Sequence, residues 1–190
     1  MATLTRSCVS FIGIGTALLL LGCADLGKVE QGRVIAYDRQ TRRVTLIREA
    51  AVPSSPGVLP PVTVEAPADP AEMGPTPTAG GLMSLDYQNR RIVIYDRAAQ
   101  SFRTIAYSLL EERRNVAKAP ATGVVDRTRK TITVYSANQH VLITFAASDE
   151  LLAMPADTWR SGDVVRYYYK NPAQALRMMN VTKTDLSKSG

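Results

Sequence analysis

The feature that most constrains this fold is a repeated pattern of short apolar segments joined by polar stretches of one length. In four places an aspartate closes an apolar segment, and the next apolar segment opens six residues later. These aspartates are Asp38, Asp86, Asp96 and Asp126. Aspartate suits the first position of a turn because its carboxylate accepts hydrogen bonds from backbone N–H groups two residues on. The pattern therefore predicts four β-hairpins built to one plan.

The apolar segments are rich in Val, Ile, Thr and Tyr and alternate with a period of two, which is typical of β-strands. The second and third hairpins share a strand, so residues 82–107 are predicted to form a three-stranded meander. In residues 123–183, five strands with a short helix between the third and fourth have the element order of an OB-like barrel. The predicted fold is mainly β, with antiparallel hairpins, a meander, a C-terminal five-stranded OB-like barrel and room for a second β subdomain before it.

A proline-rich insert interrupts this pattern at residues 51–81, which hold eight of the eleven prolines. Proline cannot donate to a strand ladder, so most of the insert is excluded from a central strand. Residues 61–65 can still form a short edge strand. We expect the insert to be a partly ordered strap over the barrel, with a functional lid and a mobile insert as the alternatives. Further along, SDELLAM at residues 148–154 predicts a short helix capped by Ser148 and ended by Pro155.

The N-terminus has the character of an export leader. Arg6 supplies a positive charge, and residues 9–21 are apolar or small with no ionised side chain. A membrane-spanning helix needs about 20 apolar residues, whereas a signal-peptide core needs roughly 7 to 15. LLGC at residues 20–23 resembles the lipobox of bacterial lipoproteins, which implies that the mature chain begins at a lipidated Cys23. The other cysteine, Cys8, leaves with the leader, so no disulfide is expected in the mature chain.

The lipobox resemblance also implies a location in the bacterial cell envelope. In Gram-negative lipoproteins an Asp directly after the lipidated cysteine favours the inner membrane, and Ala24 stands there instead. The periplasmic face of the outer membrane is therefore favoured over the inner membrane. Together these observations predict a signal peptide at 1–22, a lipidated tether at 23–31, an N-terminal β region at 32–118, the barrel at 119–184 and a tail at 185–190.

Two further resemblances bear on function. Residues 121–183, including ATGVVDRTRKTITVY, HVLITF and SGDVVRYYY, resemble small periplasmic copper-chaperone barrels. That likeness implies a soft metal site, for which His140, Met154 and Met178 are the candidate ligands; methionine as core filler is the alternative reading. The Met-x-Met pair of that family is missing here. Through GKVEQGRV at residues 27–34, DTWRSGDVVRYYYK at 157–170 and MNVTKTDL at 179–186, the whole chain also resembles exported bacterial lipoproteins that form a domain of unknown function. That resemblance implies no particular activity.

The mature chain is basic, since Lys and Arg outnumber Asp and Glu by 23 to 17 in the full sequence. The candidate binding residues are basic side chains beside the hairpin turns and two tyrosines on one face of a strand: Arg42, Arg43, Arg90, Arg91, Tyr167 and Tyr169. An envelope glycan, a lipid head group or an acidic protein would suit such a surface. The alternative is that arginines occupy turns because turns are solvated. Export argues against nucleic acid as a partner.

The sequence predicts a module that does not catalyse a reaction. His140 is the only histidine, the mature chain has no free thiol, and no GxSxG elbow or phosphate-binding loop is present. We therefore expect a membrane-anchored binding or structural lipoprotein without a cofactor, held in the bilayer through Cys23. A periplasmic copper-binding protein is the alternative, and an enzyme of unidentified type is the third.

Overall fold

The structure is a computed structural model that describes residues 26–48, 60–117 and 124–184. The predicted leader and Cys23 lie outside these residues. The strands are β1 Lys28–Asp38, β2 Arg43–Arg48, β3 Val62–Glu65, β4 Leu82–Asp86, β5 Arg91–Asp96, β6 Ser101–Ala106, β7 Ser108–Arg113, β8 Val124–Asp126, β9 Thr131–Ser136, β10 Val141–Ala146, β11 Val164–Asn171 and β12 Gln174–Asn180. The helices are α1 Pro70–Met73, α2 Asp149–Ala153 and a 3-10 helix, Ala156–Trp159.

The described chain is mainly β and contains a closed five-stranded barrel, which confirms the predicted fold class. The strand order around the barrel is β1-β11-β12-β3-β2. A four-stranded sheet has the order β7-β10-β9-β8, and a three-stranded sheet has the order β4-β5-β6. The three-stranded sheet is the meander predicted for residues 82–107.

The strands of the barrel differ from the prediction. Residues 119–184 were expected to supply all five, but β8, β9 and β10 pair with β7 in a separate sheet. The barrel closes because β1 pairs with β11 along its first half and with β2 along its second half. β1 also begins at Lys28, so residues 28–31 belong to this strand and not to a tether. The edge strand predicted at residues 61–65 is β3, and it forms one of the five strands of the closed barrel.

The hairpins follow one plan, as predicted. The carboxylate of Asp38 accepts hydrogen bonds from the backbone N–H groups of Gln40 and Thr41 at 2.8 and 3.3 Å. Asp86, Asp96 and Asp126 accept equivalent bonds in their own turns. The β9/β10 turn is a fifth copy that begins with Ser136. In all five, the last turn residue has a positive φ between 50 and 53°; these are Arg42, Arg90, Gln100, Lys130 and His140.

The left-handed residue of a turn also connects its hairpin to a third strand. In four of the five turns its carbonyl accepts a hydrogen bond, at 2.8 to 3.1 Å, from a backbone N–H that follows the neighbouring strand. The pairs are Ala66 to Arg42, Tyr107 to Arg90, Ala147 to Lys130 and Val116 to His140. His140 therefore ends the β9/β10 turn, and β10 begins at Val141.

Three apolar clusters hold the sheets together. One fills the barrel and includes Val34, Leu46 and Tyr167. A second lies between the three-stranded and four-stranded sheets around the buried Trp159. The third joins the outside of the barrel to the three-stranded sheet through Ile35, Ile47 and Tyr95. Between the second core and β11, α2 and the 3-10 helix carry the chain back to the barrel. Ser148 caps α2 as predicted, since its hydroxyl accepts a hydrogen bond from the N–H of Leu151.

A strap formed by residues 74–81 crosses from the barrel to the 3-10 helix. The backbone N–H of Gly80 donates to the carbonyl of Val34 at 3.1 Å, and that of Gly81 donates to the carbonyl of Asp157 at 3.0 Å. The buried carboxylate of Asp163 accepts from the N–H of Thr78 at 2.7 Å and from Lys183 Nζ at 3.0 Å. A strap was predicted for the whole insert at residues 51–81; its last part is fastened to the body in this way, while residues 49–59 lie outside the described part.

Candidate functional site

Tyr167 and Tyr169 lie inside the barrel and not on a binding surface. Their hydroxyls donate to the two carboxylate oxygens of Glu30, at 2.7 and 2.9 Å, and their rings stack 5.5 Å apart. Arg48 lies 3.6 Å from the same carboxylate. Alternation correctly placed both tyrosines on one face of β11, but that face points into the barrel. The prediction that they form a surface is therefore wrong.

The protonation states in this cluster follow from its contacts. Burial acts to raise the pKa of Glu30, but the hydrogen bonds from Tyr167 and Tyr169 and the charge of Arg48 outweigh it and lower the pKa below its ordinary value. Burial and the hydrogen bond to Glu30 raise the pKa of Tyr167 well above that of a free tyrosine. Glu30 is thus a charged acceptor served by neutral phenols, an arrangement that stabilises the barrel.

The four arginines predicted to form one basic surface are divided between two places. Arg42 ends the β1/β2 turn of the barrel and Arg43 opens β2, whereas Arg90 ends the β4/β5 turn of the three-stranded sheet and Arg91 opens β5. Arg42 forms a salt bridge with Glu65 at 2.5 Å. In the described part of the chain Arg43, Arg90 and Arg91 form no salt bridge. Each turn presents cations to solvent, but the turns do not combine into a single rim.

The fold instead gathers a different set of arginines in a cleft of about 420 Å³. We call it the arginine cleft. The end of β1 and its turn form one wall, the strap forms another, and the β5/β6 turn and 3-10 helix close it. Its charged lining residues are Asp38, Arg39, Arg97, Asp157 and Arg160.

The arginines of the cleft differ in how they are held. Arg97 forms a salt bridge with Asp157 and donates to the carbonyl of Ile35 at 3.4 Å. Arg160 donates from Nε to the carbonyl of Ala79 at 2.7 Å. Neither the terminal nitrogens of Arg160 nor the guanidinium of Arg39 has an acceptor within the described residues. Guanidinium nitrogens without an acceptor suit a phosphate or carboxylate group, which a guanidinium can bind through two parallel hydrogen bonds.

Arg39 and Arg97 each follow an aspartate that marks a predicted turn, whereas nothing in the sequence marks Arg160. Arg160 follows the 3-10 helix, and only the return of the chain to the barrel places it beside the strap. No local motif marks that position. The aspartate turn pattern places Arg39 and Arg97 in turns, but it does not show that the two turns lie side by side in the fold.

The candidate metal ligands are separated in the structure. His140 is exposed in the β9/β10 turn, Met178 is buried in the barrel, and Met154 packs against the core around Trp159. The two methionines therefore act as core residues in different cores. Nor do residues 26–48, 60–117 and 124–184 contain a cluster of three or more His, Cys, Asp or Glu side chains that could hold a metal ion.

Fold and site together define a mainly β protein with a closed five-stranded barrel, two accompanying sheets and a cationic cleft at one end of β1. The chain belongs to the family described as domain of unknown function DUF4881, whose model matches residues 25–189. Neither the curated proteins nor the solved structures include a match. Within the described segments, the helices are all too short or too polar to cross a bilayer.

Proposed function

We propose that this protein is a lipid-anchored module of the bacterial envelope that binds an anionic partner without catalysing a reaction. The observation that carries the proposal is the short distance between Cys23 and the barrel. β1 begins at Lys28, five residues after that cysteine. At about 3.3 to 3.6 Å per residue, even a fully extended chain reaches only ~18 Å. A lipid on Cys23 would therefore hold the barrel against the membrane.

The state of the acidic side chains supports a binding role over catalysis. The carboxylates with lowered pKa values all have structural partners: Asp38, Asp86 and Asp96 cap turns, Glu72 pairs with Arg177, and Glu30 sits in the barrel cluster. Structural networks of this kind shift pKa values without serving chemistry. The copper alternative gains no support from the geometry, because its three candidate ligands lie apart.

The arginine cleft is the part of the surface that best fits a ligand. Its charge favours phosphate or carboxylate groups, such as those of an envelope glycan, a lipid head group or an acidic protein. The binding test uses the mature chain with Cys23→Ser, titrated with inorganic phosphate while the arginine Nε–Hε NMR signals are followed. We expect selective shifts for the three arginines of the cleft, Arg39, Arg97 and Arg160. Arg160→Gln should abolish the shifts of Arg39 and Arg97, whereas Arg129→Gln, which replaces a turn arginine outside the cleft, should leave all three unchanged. Equal, weak shifts of all arginines would contradict specific binding.

The anchor is tested by mass spectrometry of the native protein extracted from cell membranes. Acyl chains on an N-terminal Cys23, absent in Cys23→Ser, are the expected result. An unmodified mature N-terminus would overturn the anchor. The membrane of residence is tested separately by fractionating cells that carry Ala24→Asp. If the parent chain sorts to the outer membrane, this variant should move to the inner membrane.

A further inference from the structure

An exposed apolar strip lies on the outside of the barrel where β1 begins. Leu26, Val29 and Leu176 expose 86, 62 and 44 % of their surface, although large apolar side chains are normally withdrawn from water. Tyr168 is half-buried between them. We call these four residues the apolar strip. Three of the five large apolar side chains that are exposed in the described residues thus fall on this one face.

Strand pairing makes the strip continuous. Val29 of β1 lies directly opposite Tyr168 of β11, and Tyr168 lies opposite Arg177 of β12. A bulge in β12 sets Leu176 beside Arg177 against the same tyrosine. The backbone at Gly27 approaches the Tyr168 ring so closely that a Cβ there would lie 2.4 Å from a ring carbon. The backbone leading into β1 therefore lies against the ring of Tyr168.

Basic side chains lie on the same three strands as the apolar strip. Lys28, Arg166, Lys170 and Arg177 are all exposed on β1, β11 and β12. Arg177 pairs with Glu72, and Arg166 donates to the neutral side chain of Gln31. Within the described residues Lys28 and Lys170 have no salt bridge. Apolar side chains together with cations are the composition that peripheral proteins present to an anionic bilayer.

We propose that the apolar strip and its basic border rest on the surface of an anionic lipid bilayer. This inference rests on the proposed anchor, because the strip begins three residues after Cys23 and a lipid there would deliver this face, and no other, to the membrane. Leu26, Val29 and Leu176 enter the boundary between head groups and acyl chains. The lysines and arginines lie at the lipid phosphates. The anchor then sets not only the location of the barrel but also its orientation.

The arginine cleft lies apart from the apolar strip. The strip lies at the start of β1 and the cleft lies at its end, and β1 is eleven residues long. At about 3.3 Å per residue the two are up to ~33 Å apart along the strand. A barrel seated on the strip would therefore leave the cleft uncovered, open to soluble or wall-bound anionic groups.

The test measures vesicle binding by the mature chain, residues 23–190, carrying Cys23→Ser, so that no lipid contributes. Vesicles are made of phosphatidylcholine alone or with one-third phosphatidylglycerol, and bound protein is measured by co-sedimentation. We expect binding to the anionic vesicles that weakens with added salt, since exposed charges are screened. Replacing Leu26 by Ser and Val29 by Thr should lower the partition coefficient roughly tenfold, because several buried methyl and methylene groups are lost.

The matched control carries Leu110→Ser and Val124→Thr, which replace the other two large apolar side chains exposed in the described residues; both lie on the four-stranded sheet. Its vesicle binding should equal that of the parent. No binding to anionic vesicles, or an equal loss in both double variants, would overturn the inference. So would a concentration-dependent dimer that Leu26→Ser with Val29→Thr abolishes, because the strip would then bind a second copy. Because the vesicle experiment uses Cys23→Ser, a negative result would not contradict lipidation of Cys23. Mass spectrometry of the native protein tests lipidation independently.

Discussion

The hydroxyl of Tyr167 lies 2.7 Å from Oε2 of Glu30, directly across the β1–β11 pair and inside the barrel. A hydrogen bond from a neutral donor to a partly buried carboxylate contributes more to stability than one between neutral groups. We therefore expect Tyr167→Phe to lower the free energy of unfolding by about 2 kcal/mol, measured by urea denaturation. Tyr169 would remain as the only phenol bound to Glu30.

The control for this prediction is the neighbouring Tyr168→Phe. Tyr168 faces outward on the same strand and forms no hydrogen bond through its hydroxyl within the described residues. Its substitution should change the unfolding free energy by less than about 0.5 kcal/mol. Equal effects of the two substitutions would show that the Glu30 bond contributes nothing specific.

Glu30 should make the stability of the barrel depend on pH. Its pKa in the folded protein is lowered, so the folded state favours the carboxylate and binds fewer protons than the unfolded chain. The stabilisation is present above the ordinary glutamate pKa and is lost as the pH falls through the folded-state value. Glu30→Gln should therefore destabilise the protein at pH 7 and have a smaller effect near pH 3. Urea denaturation of both proteins at the two pH values measures this, and a pH-independent difference would contradict it.

Local sequence was sufficient to predict the hairpins because the residues that stabilise each turn lie within that turn. Asp38, Asp86, Asp96 and Asp126 satisfy the backbone of the turn that they begin, so their effect needs no distant residue. The meander and the helix capped by Ser148 are local in the same sense. The fifth turn, at Ser136, was not counted with the other four because serine marks the same position less distinctly than aspartate.

The barrel and the cleft depend on contacts between distant residues, and for these the sequence was insufficient. Strand order in residues 123–183 matched an OB-like barrel, but pairing is decided by which faces bury together. β1 is long enough to pair with two partners, which brings Gly32 opposite both Arg48 and Val165. Alternation placed Tyr167 and Tyr169 on one face without indicating that this face is internal. Arg160 joined the cleft only through the strap.

Replacing the turn residue Arg90 by glycine and replacing its neighbour Arg91 by glycine should change the free energy of unfolding in opposite directions. Arg90 has a φ of 53°, a conformation that costs an ordinary residue roughly 1 kcal/mol or more relative to glycine. Arg90→Gly should therefore stabilise the protein by about 0.5 kcal/mol, after the greater entropy of glycine in the unfolded chain is subtracted. Arg91 opens β5, where glycine weakens a strand, so Arg91→Gly should destabilise by ~0.5–1 kcal/mol. Thermal unfolding of both variants checks the two signs.

A β-branched residue at position 90 provides the complementary test. Valine is strongly disfavoured at positive φ, so Arg90→Val should destabilise the β4/β5 turn. It should also weaken the hydrogen bond from the N–H of Tyr107 to the carbonyl of residue 90, because relief of the strain moves that carbonyl. Faster amide exchange at Tyr107 would report this directly. Unchanged exchange at Tyr107 in a destabilised variant would show that the turn does not hold the third strand.

Gly162 stands where the barrel, the strap and the end of the 3-10 helix meet, and we expect no side chain to be tolerated there. A Cβ at this position would lie 1.9 Å from the carbonyl oxygen of Val34 and 2.9 Å from the backbone nitrogen of Gly80. The carbonyl of Val34 accepts the hydrogen bond from Gly80, so the clash falls on the contact that fastens the strap to β1. Because both neighbours are backbone atoms, they cannot move aside by rotating a side chain. Gly162→Ala should therefore lower the unfolding free energy by ~3 kcal/mol, as overpacking does at rigid sites, whereas Ser161→Ala, an exposed neighbour, should have little effect.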